Sequence, residues 1–182
     1  IDTYQVGFII GPRLNATGRL THAMDSLRLL CTTDPGRAFD LAAVLESTNA
    51  DRQRLTEAST QLAYAQINRE AIPDILISAD PAYDEGIIGL VAAKLVERFH
   101  RPAIAISIGV DQCKGSARSI PGFHITDFLR QFSGLLDSVG GHSMAGGFTI
   151  STKHLDQFKI QVESLAKKLI TPDMLIKEHR ID

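Results

Sequence analysis

Two short stretches of this 182-residue chain carry residue types that can hold an anion. In "CKGSARSIPGFHI", residues 113–125, Ser116, Arg118 and Ser119 supply two hydroxyls and one guanidinium, and Gly115 lets a backbone come close. On a strand, Ser116 and Arg118 point to the same face, because side chains alternate with a period of two. Such a pair suits a phosphate: arginine offers a planar fork, and hydroxyls with backbone N–H groups complete the contacts. The plain alternative is a solvent-exposed edge strand. In "SVGGHSMAGGFTI", residues 138–150, Gly140, Gly141, Gly146 and Gly147 surround His142. Successive small residues can form a nest of N–H groups for an anion. A histidine beside it can donate to a phosphate oxygen or move a proton near neutral pH. The alternative is a tight glycine turn with its imidazole in water.

A third stretch, "GPRLNATGRL" (residues 11–20), places Arg13, Asn15 and Arg19 in a segment that its Gly11, Pro12 and Gly18 make irregular. These groups could meet a polyanion or a partner domain; equally, the arginines could pair with nearby carboxylates. Other chemistries lack their residues. There is no GxxxxGK[ST] loop and no GxGxxG opening a helix. His22, His100, His124, His142, His154 and His179 are scattered, and Cys31 and Cys113 lie far apart without CxxC spacing, so no metal site is expected in this chain.

The elements that must position these residues fall into two parts. Asp2–Ile10 reads as a strand-like start ending at a Gly11-Pro12 turn, and Thr21 as the N-cap of a short helix bearing Ala23, Leu27 and Leu30. Asp34 as N-cap and Pro35 at the first helical position open a helix that meets no breaker until about Ile67. At 1.5 Å per residue that is roughly 45 Å, and its polar middle suits a connector. After "AIPD" at 71–74 the pattern becomes strand (Ile75–Ala79), helix (Gly86–His100), strand (Pro102–Ile108), which implies a parallel pair with a right-handed crossover. A strand at Lys114–Ile120, a helix at Ile125–Leu136, a strand at Phe148–Ser151 and an amphipathic helix at His154–Ile170 follow. The expected fold is therefore α/β: an N-terminal helical connector (1–72), then a small mixed, mostly parallel sheet flanked by helices (73–171), then a tail (172–182).

Composition bounds the function classes. With 44% hydrophobic and 22% charged residues the chain reads as an ordinary globular protein, without a run of apolar residues long enough to span a membrane. A net charge of −2 excludes a globally basic protein, so nucleic acid would have to meet a local patch. Two cysteines without a disulfide framework suit a reducing cytoplasm. The start without methionine and the unfinished tail suggest a piece of a longer chain.

"GPRLNATGRL", "DEGIIGLVAAKLVERFHRPAIAIS" and "GSARSIPGFHI…GGHSMAGGFTI", in that order, resemble the RecJ-type single-strand-specific exonucleases of the DHH/DHHA1 phosphoesterase superfamily. The resemblance covers nearly the whole chain and implies the connector helix plus the DHHA1 domain. It implies a parent enzyme of DNA repair and recombination that degrades single-stranded DNA 5′→3′ by two-metal hydrolysis, releasing mononucleotides. The Mn²⁺ or Mg²⁺ ions would sit in a DHH domain whose naming motif does not occur here, so this chain alone should be inactive. DNA would thread between the two domains. By the same resemblance Ser116 and Arg118 hold the 5′ phosphate, Gly140, Gly141 and His142 face the scissile phosphate, and Arg13, Asn15 and Arg19 lie near the DNA path. One departure is visible, Tyr83-Asp84 where many relatives have Trp-His; an aspartate there would repel DNA. The alternatives are a nanoRNase or nucleotide phosphatase of the same superfamily, and a noncatalytic RNA- or protein-binding module.

Overall fold

A computed structural model describes residues 1–68 and 70–177. Residues 178–182, which hold His179 and the end of the expected tail, lie outside the described residues. The chain divides into two compact units, Ile1–Ala58 and Ser59–Asp182.

The first unit is helical. The expected N-terminal strand is instead a π-helical stretch, Gln5–Ile10, running into α1 (Gly11–Leu20). The expected Gly11-Pro12 turn and the irregular segment 11–20 are thus helix α1. The chain is helical on both sides of Pro12, and the wider π turn ahead of it, where the Gly11 N–H reaches the Val6 carbonyl, accommodates the ring. Thr21 does not cap the next helix, α2 (Met24–Cys31); the His22 Nδ1 accepts the Met24 N–H at 3.2 Å. The long helix α3 (Pro35–Gln66) forms as expected. Asp34 Oδ1 accepts the backbone N–H groups of Gly36 and Arg37 at 2.8 and 3.3 Å, satisfying donors that a helix start leaves orphaned. The unit division falls inside α3, so its end from Ser59 onward belongs with the second unit.

The second unit is a five-stranded sheet in the order β1-β2-β3-β5-β4. Its strands are β1 (Leu76–Asp80), β2 (Ala103–Ile108), β3 (Gln112–Arg118), β4 (Leu136–Gly141) and β5 (Ala145–Ser151). Helix α4 (Ile88–Phe99) joins β1 to β2, α5 (Ile125–Arg130) precedes β4, and α6 (Leu155–Leu169) closes the unit. The sheet is mixed, but β1–β2 is its one parallel ladder; β2–β3, β3–β5 and β4–β5 are antiparallel. The expectation of a mostly parallel sheet is therefore corrected. The connections explain it: Gly109–Asp111 and Ser143-Met144 are hairpin turns, far too short for the crossover a parallel pair needs.

Two faces result. On one, Ile104, Ile106, Ala117, Phe148 and Ile150 meet Phe128 and Leu129 of α5 and Phe158 and Val162 of α6. Aromatic rings link this core, with Phe132–Phe158 and Phe148–Phe158 centroids 5.5 and 5.0 Å apart. On the other face, α4 packs on β2 and β3 through Ile88, Val91, Ala92 and Leu95, buried at i, i+3, i+4, i+7. Ala103 and Ala105, both fully buried, let that helix approach closely. Gly147, Gly140 and Ser138 on β5 and β4 remain exposed on this same face.

Candidate functional site

Alternation along β3 buries Cys113, Gly115 and Ala117 and turns Lys114, Ser116 and Arg118 to the face that carries α4. Ser116 and Arg118 are brought together: Arg118 Nη1 donates to Ser116 Oγ at 3.1 Å and to the Ala117 carbonyl at 2.9 Å. Both are half-buried. The first turn of α4 closes on them at Gly89, where a Cβ would stand 2.8 Å from Arg118 Nη2 and 3.2 Å from Ser116 Oγ. A helix N-terminus carries positive partial charge, so this corner combines a guanidinium, a hydroxyl and the favourable end of a dipole. Lys114, next along the same face, is paired with Glu85 at 2.6 Å.

The other two expected residues of this stretch have structural duties. Ser119 is buried and its hydroxyl donates to the Phe123 carbonyl. Gly115 packs against Phe148, with no room for a Cβ; its lack of side chain serves the core and not a backbone approach by a ligand.

The glycine stretch is not a loop. Gly140 and Gly141 end β4, an element missed in the sequence, and pair with Gly147 and Gly146 of β5. The His142 N–H donates to the Ala145 carbonyl at 2.8 Å, closing a two-residue turn at Ser143-Met144. That donor is committed to the ladder, so the anion nest is corrected to a hairpin. The segment after β3 holds the hairpin in place: Thr126 Oγ1 donates to the His142 carbonyl at 2.6 Å. The Ser119 and Ile125 N–H groups donate to the Met144 and Ser143 carbonyls at 3.0 and 2.9 Å. Gly141 alone among these four glycines has a left-handed φ, +139°. The imidazole of His142 is exposed.

Register relates the two stretches. Ser116 pairs with Gly147, and Gly147 with Gly140; Arg118 pairs with Ala145, which faces His142 across the hairpin. Directly opposed residues share a face. Arg118 and His142 therefore belong to one cross-strand row, and Ser116 and Gly140 to the next.

In the first unit, Arg13 is not free. Its Nε and Nη2 form a fork on Glu46, and Nη1 donates to the Ile9 carbonyl at 2.8 Å. The carboxylate alternative thus holds for this arginine. Asn15 and Arg19 are exposed on α1. Arg19 lies close enough to Arg52 to add to the burial that holds the Arg52 guanidinium below its usual range. The buried Asn49 accepts from Arg52 at 3.2 and 3.0 Å through one oxygen. Sequence reasoning missed Gly89, Asn49 and Arg52. A glycine inside the amphipathic run "IIGLVAAKL" was the available signal for the first, and the i, i+3 spacing of Asn49 and Arg52 for the others.

Tyr83 and Asp84 have local roles. Tyr83 is buried, and the Asp84 Oδ1 accepts the Gly86 N–H at 2.7 Å, ordering the turn ahead of α4. Among the described residues no three His, Cys, Asp or Glu side chains are placed to share a metal ion, and no helix is long and apolar enough to cross a membrane. A concavity of about 360 Å³ lined by Ile72, Pro73, Asp74, Glu163 and Lys167 holds none of the residues above.

Known proteins bear on this arrangement. The chain is 33% identical over 180 residues to the single-stranded-DNA-specific exonuclease RecJ of Bacillus subtilis, covering 97% of this chain and 23% of that protein. It is 36% identical over 168 residues to RecJ of Thermus thermophilus, covering 92% and 24%. The chain thus spans about a quarter of these relatives. Among solved structures, RecJ from Thermus thermophilus in complex with Mg²⁺ matches with a TM-score of 0.84 at 36% identity, over 93% of this chain and 26% of that one. The corresponding Mn²⁺ complex matches with a TM-score of 0.83 at 35% identity, over 90% and 24%. The DHHA1 domain model matches residues 59–168. By that match, and by a fold that superposes on solved RecJ, the chain belongs to the DHHA1 domain family.

Proposed function

We propose that this chain is the substrate-holding DHHA1 part of a RecJ-like single-stranded-DNA-specific 5′→3′ exonuclease. Ser116 and Arg118 hold the terminal 5′ phosphate; Gly140, Gly141 and His142 face the scissile phosphate, with His142 an auxiliary donor. Gly115 and Ser119 shape the strand and loop behind them. Arg13, Asn15 and Arg19 lie along the DNA path, in a connector over residues 1–72; residues 73–171 form the binding domain, and 172–182 lead toward a further domain. The observation that carries this reading is the 3.1 Å hydrogen bond from Arg118 Nη1 to Ser116 Oγ on an accessible strand face beside α4.

Hydrolysis in this reading belongs to a DHH domain outside this sequence, which would bind the Mn²⁺ or Mg²⁺ and be this chain's intramolecular partner. Without that domain the isolated chain is expected to show no turnover. A parent enzyme of DNA repair working in the cytoplasm is part of the same proposal and rests on the likeness to the RecJ relatives.

The test is a low-salt titration of this chain with matched short DNA single strands ending in 5′ phosphate or 5′ hydroxyl. The phosphorylated strand should bind more tightly, and Arg118→Ala should abolish the difference. Equal losses for both ends would remove the clamp assignment. Tighter binding of RNA than DNA would favour the noncatalytic module.

A further inference from the structure

Gly89 has no internal reason to be glycine. It lies in the first turn of α4, a helix of 12 residues, and glycine is among the poorest helix formers. Its backbone is not in the left-handed region; among the described glycines only Gly122 and Gly141 are. The three heavy atoms nearest to its missing Cβ all belong to one pair of residues: Arg118 Nη2 at 2.8 Å, Ser116 Oγ at 3.2 Å and Arg118 Cζ at 3.6 Å. Other glycines differ. Gly115 is blocked by a core ring, Gly141 by backbone, and Gly134 by nothing within 4 Å.

We propose that Gly89 is the positioning residue of the phosphate clamp. Its lack of a side chain leaves the guanidinium room to lie against Ser116 with its fork in register. This rests on the reading of Ser116 and Arg118 as phosphate contacts. A methyl group at this position cannot remain 2.8 Å from Nη2, and the end of an arginine is the cheapest thing to move. Gly89→Ala should therefore fold, and even favour the helix, while driving the guanidinium off Ser116. The substitution touches no ligand itself; it acts through Arg118.

The experiment uses this chain with 5′-phosphorylated and 5′-hydroxyl DNA single strands. Gly89→Ala should leave the thermal midpoint unchanged or higher, and leave the 5′-hydroxyl affinity unchanged. The preference for the phosphate end should fall roughly tenfold, as for loss of one charge-assisted hydrogen bond. In an Arg118→Lys background, where the fork is gone, adding Gly89→Ala should change the preference less than about twofold. A second readout needs no ligand: the Arg118 Nε–Hε NMR signal of the free chain should move in Gly89→Ala and stay in Gly134→Ala. An unmoved signal with an intact preference overturns the proposal, as does an equal loss in the Arg118→Lys background. Failure of Gly89→Ala to fold also overturns it, since the methyl would then be meeting fixed atoms. If the unsubstituted chain shows no phosphate preference, the clamp reading fails, and the Nε–Hε signal still decides whether Gly89 sets the guanidinium.

Discussion

Phe148 occupies the place where Gly115 would carry a side chain: a Cβ on Gly115 would stand 2.1 Å from Cζ of the ring, and the two residues oppose each other across the β3–β5 ladder. The glycine nearest the clamp in sequence is thus a packing residue on the buried side of the strand. Gly115→Ala would push the ring into Phe158, whose centroid is 5.0 Å away. The expected loss is at the top of the range of about 1–3 kcal/mol seen for overpacked cores, read by urea denaturation. A loss below about 0.5 kcal/mol would mean that the ring has room to retreat.

Tyr83 predicts how stability responds to alkali. Its hydroxyl shares a 2.6 Å hydrogen bond with Ser78 Oγ, which either group can donate, and Ser78 Oγ lies 2.7 Å from Gln66 Oε1. Burial raises the phenol above its ordinary value of 10.0; the bond to Ser78 opposes this, and the nearby Asp80 charge adds to it. A phenol whose pKa is higher folded than unfolded contributes stability that is complete below about pH 10 and is lost as pH rises through the folded value. Tyr83→Phe should cost about 0.5–1.5 kcal/mol at neutral pH, the usual worth of a hydrogen bond, and flatten the alkaline decline. Denaturation series from neutral to alkaline pH check both; an unchanged alkaline slope would assign that decline to other groups.

His142 separates folding from the proposed chemistry. Its backbone closes the hairpin through the Ala145 carbonyl, while its imidazole is exposed. His142→Ala should therefore change stability by less than about 0.5 kcal/mol. In the full-length parent it should lower turnover roughly 10²-fold, the lower end for a positioned proton donor, with 5′-phosphate binding retained. Turnover equal to that of the unsubstituted enzyme would take the imidazole out of the reaction.

Long periodic signals were legible in the sequence. The Asp34-Pro35 start fixed α3, the apolar face of "IIGLVAAKL" fixed α4, and strand, helix, strand fixed the parallel β1–β2 pair. The misses have physical causes. "YQVGFII" is an apolar run that suits strand and helix equally, and Pro12 reads as a breaker although the π turn ahead of it lets the helix run on. β4, "LDSVGG", lacks β-branched density because it is an edge strand ending in paired glycines. Overlooking it turned a hairpin into a loop and lengthened the preceding helix to Leu136, where α5 ends at Arg130. At the site, the alternation of Ser116 and Arg118 was readable because a period of two survives any packing. The Arg13–Glu46 fork and the Gly89 contact were not, since each depends on an element distant in sequence; Ser119 turns inward through a bond to the Phe123 carbonyl, in a loop whose path no periodicity marks.

The hairpin register has one more consequence. Arg118 on β3, Ala145 on β5 and His142, just past the end of β4, stand in one row, so guanidinium and imidazole are mounted two strand spacings apart, roughly 10 Å at the level of the backbone. A ladder does not stretch. That separation can change only by a slip of whole residues, which would turn the buried faces of the strands outward. The two groups therefore behave as fixed jaws of a gauge, whose fine adjustment lies in side-chain rotamers alone.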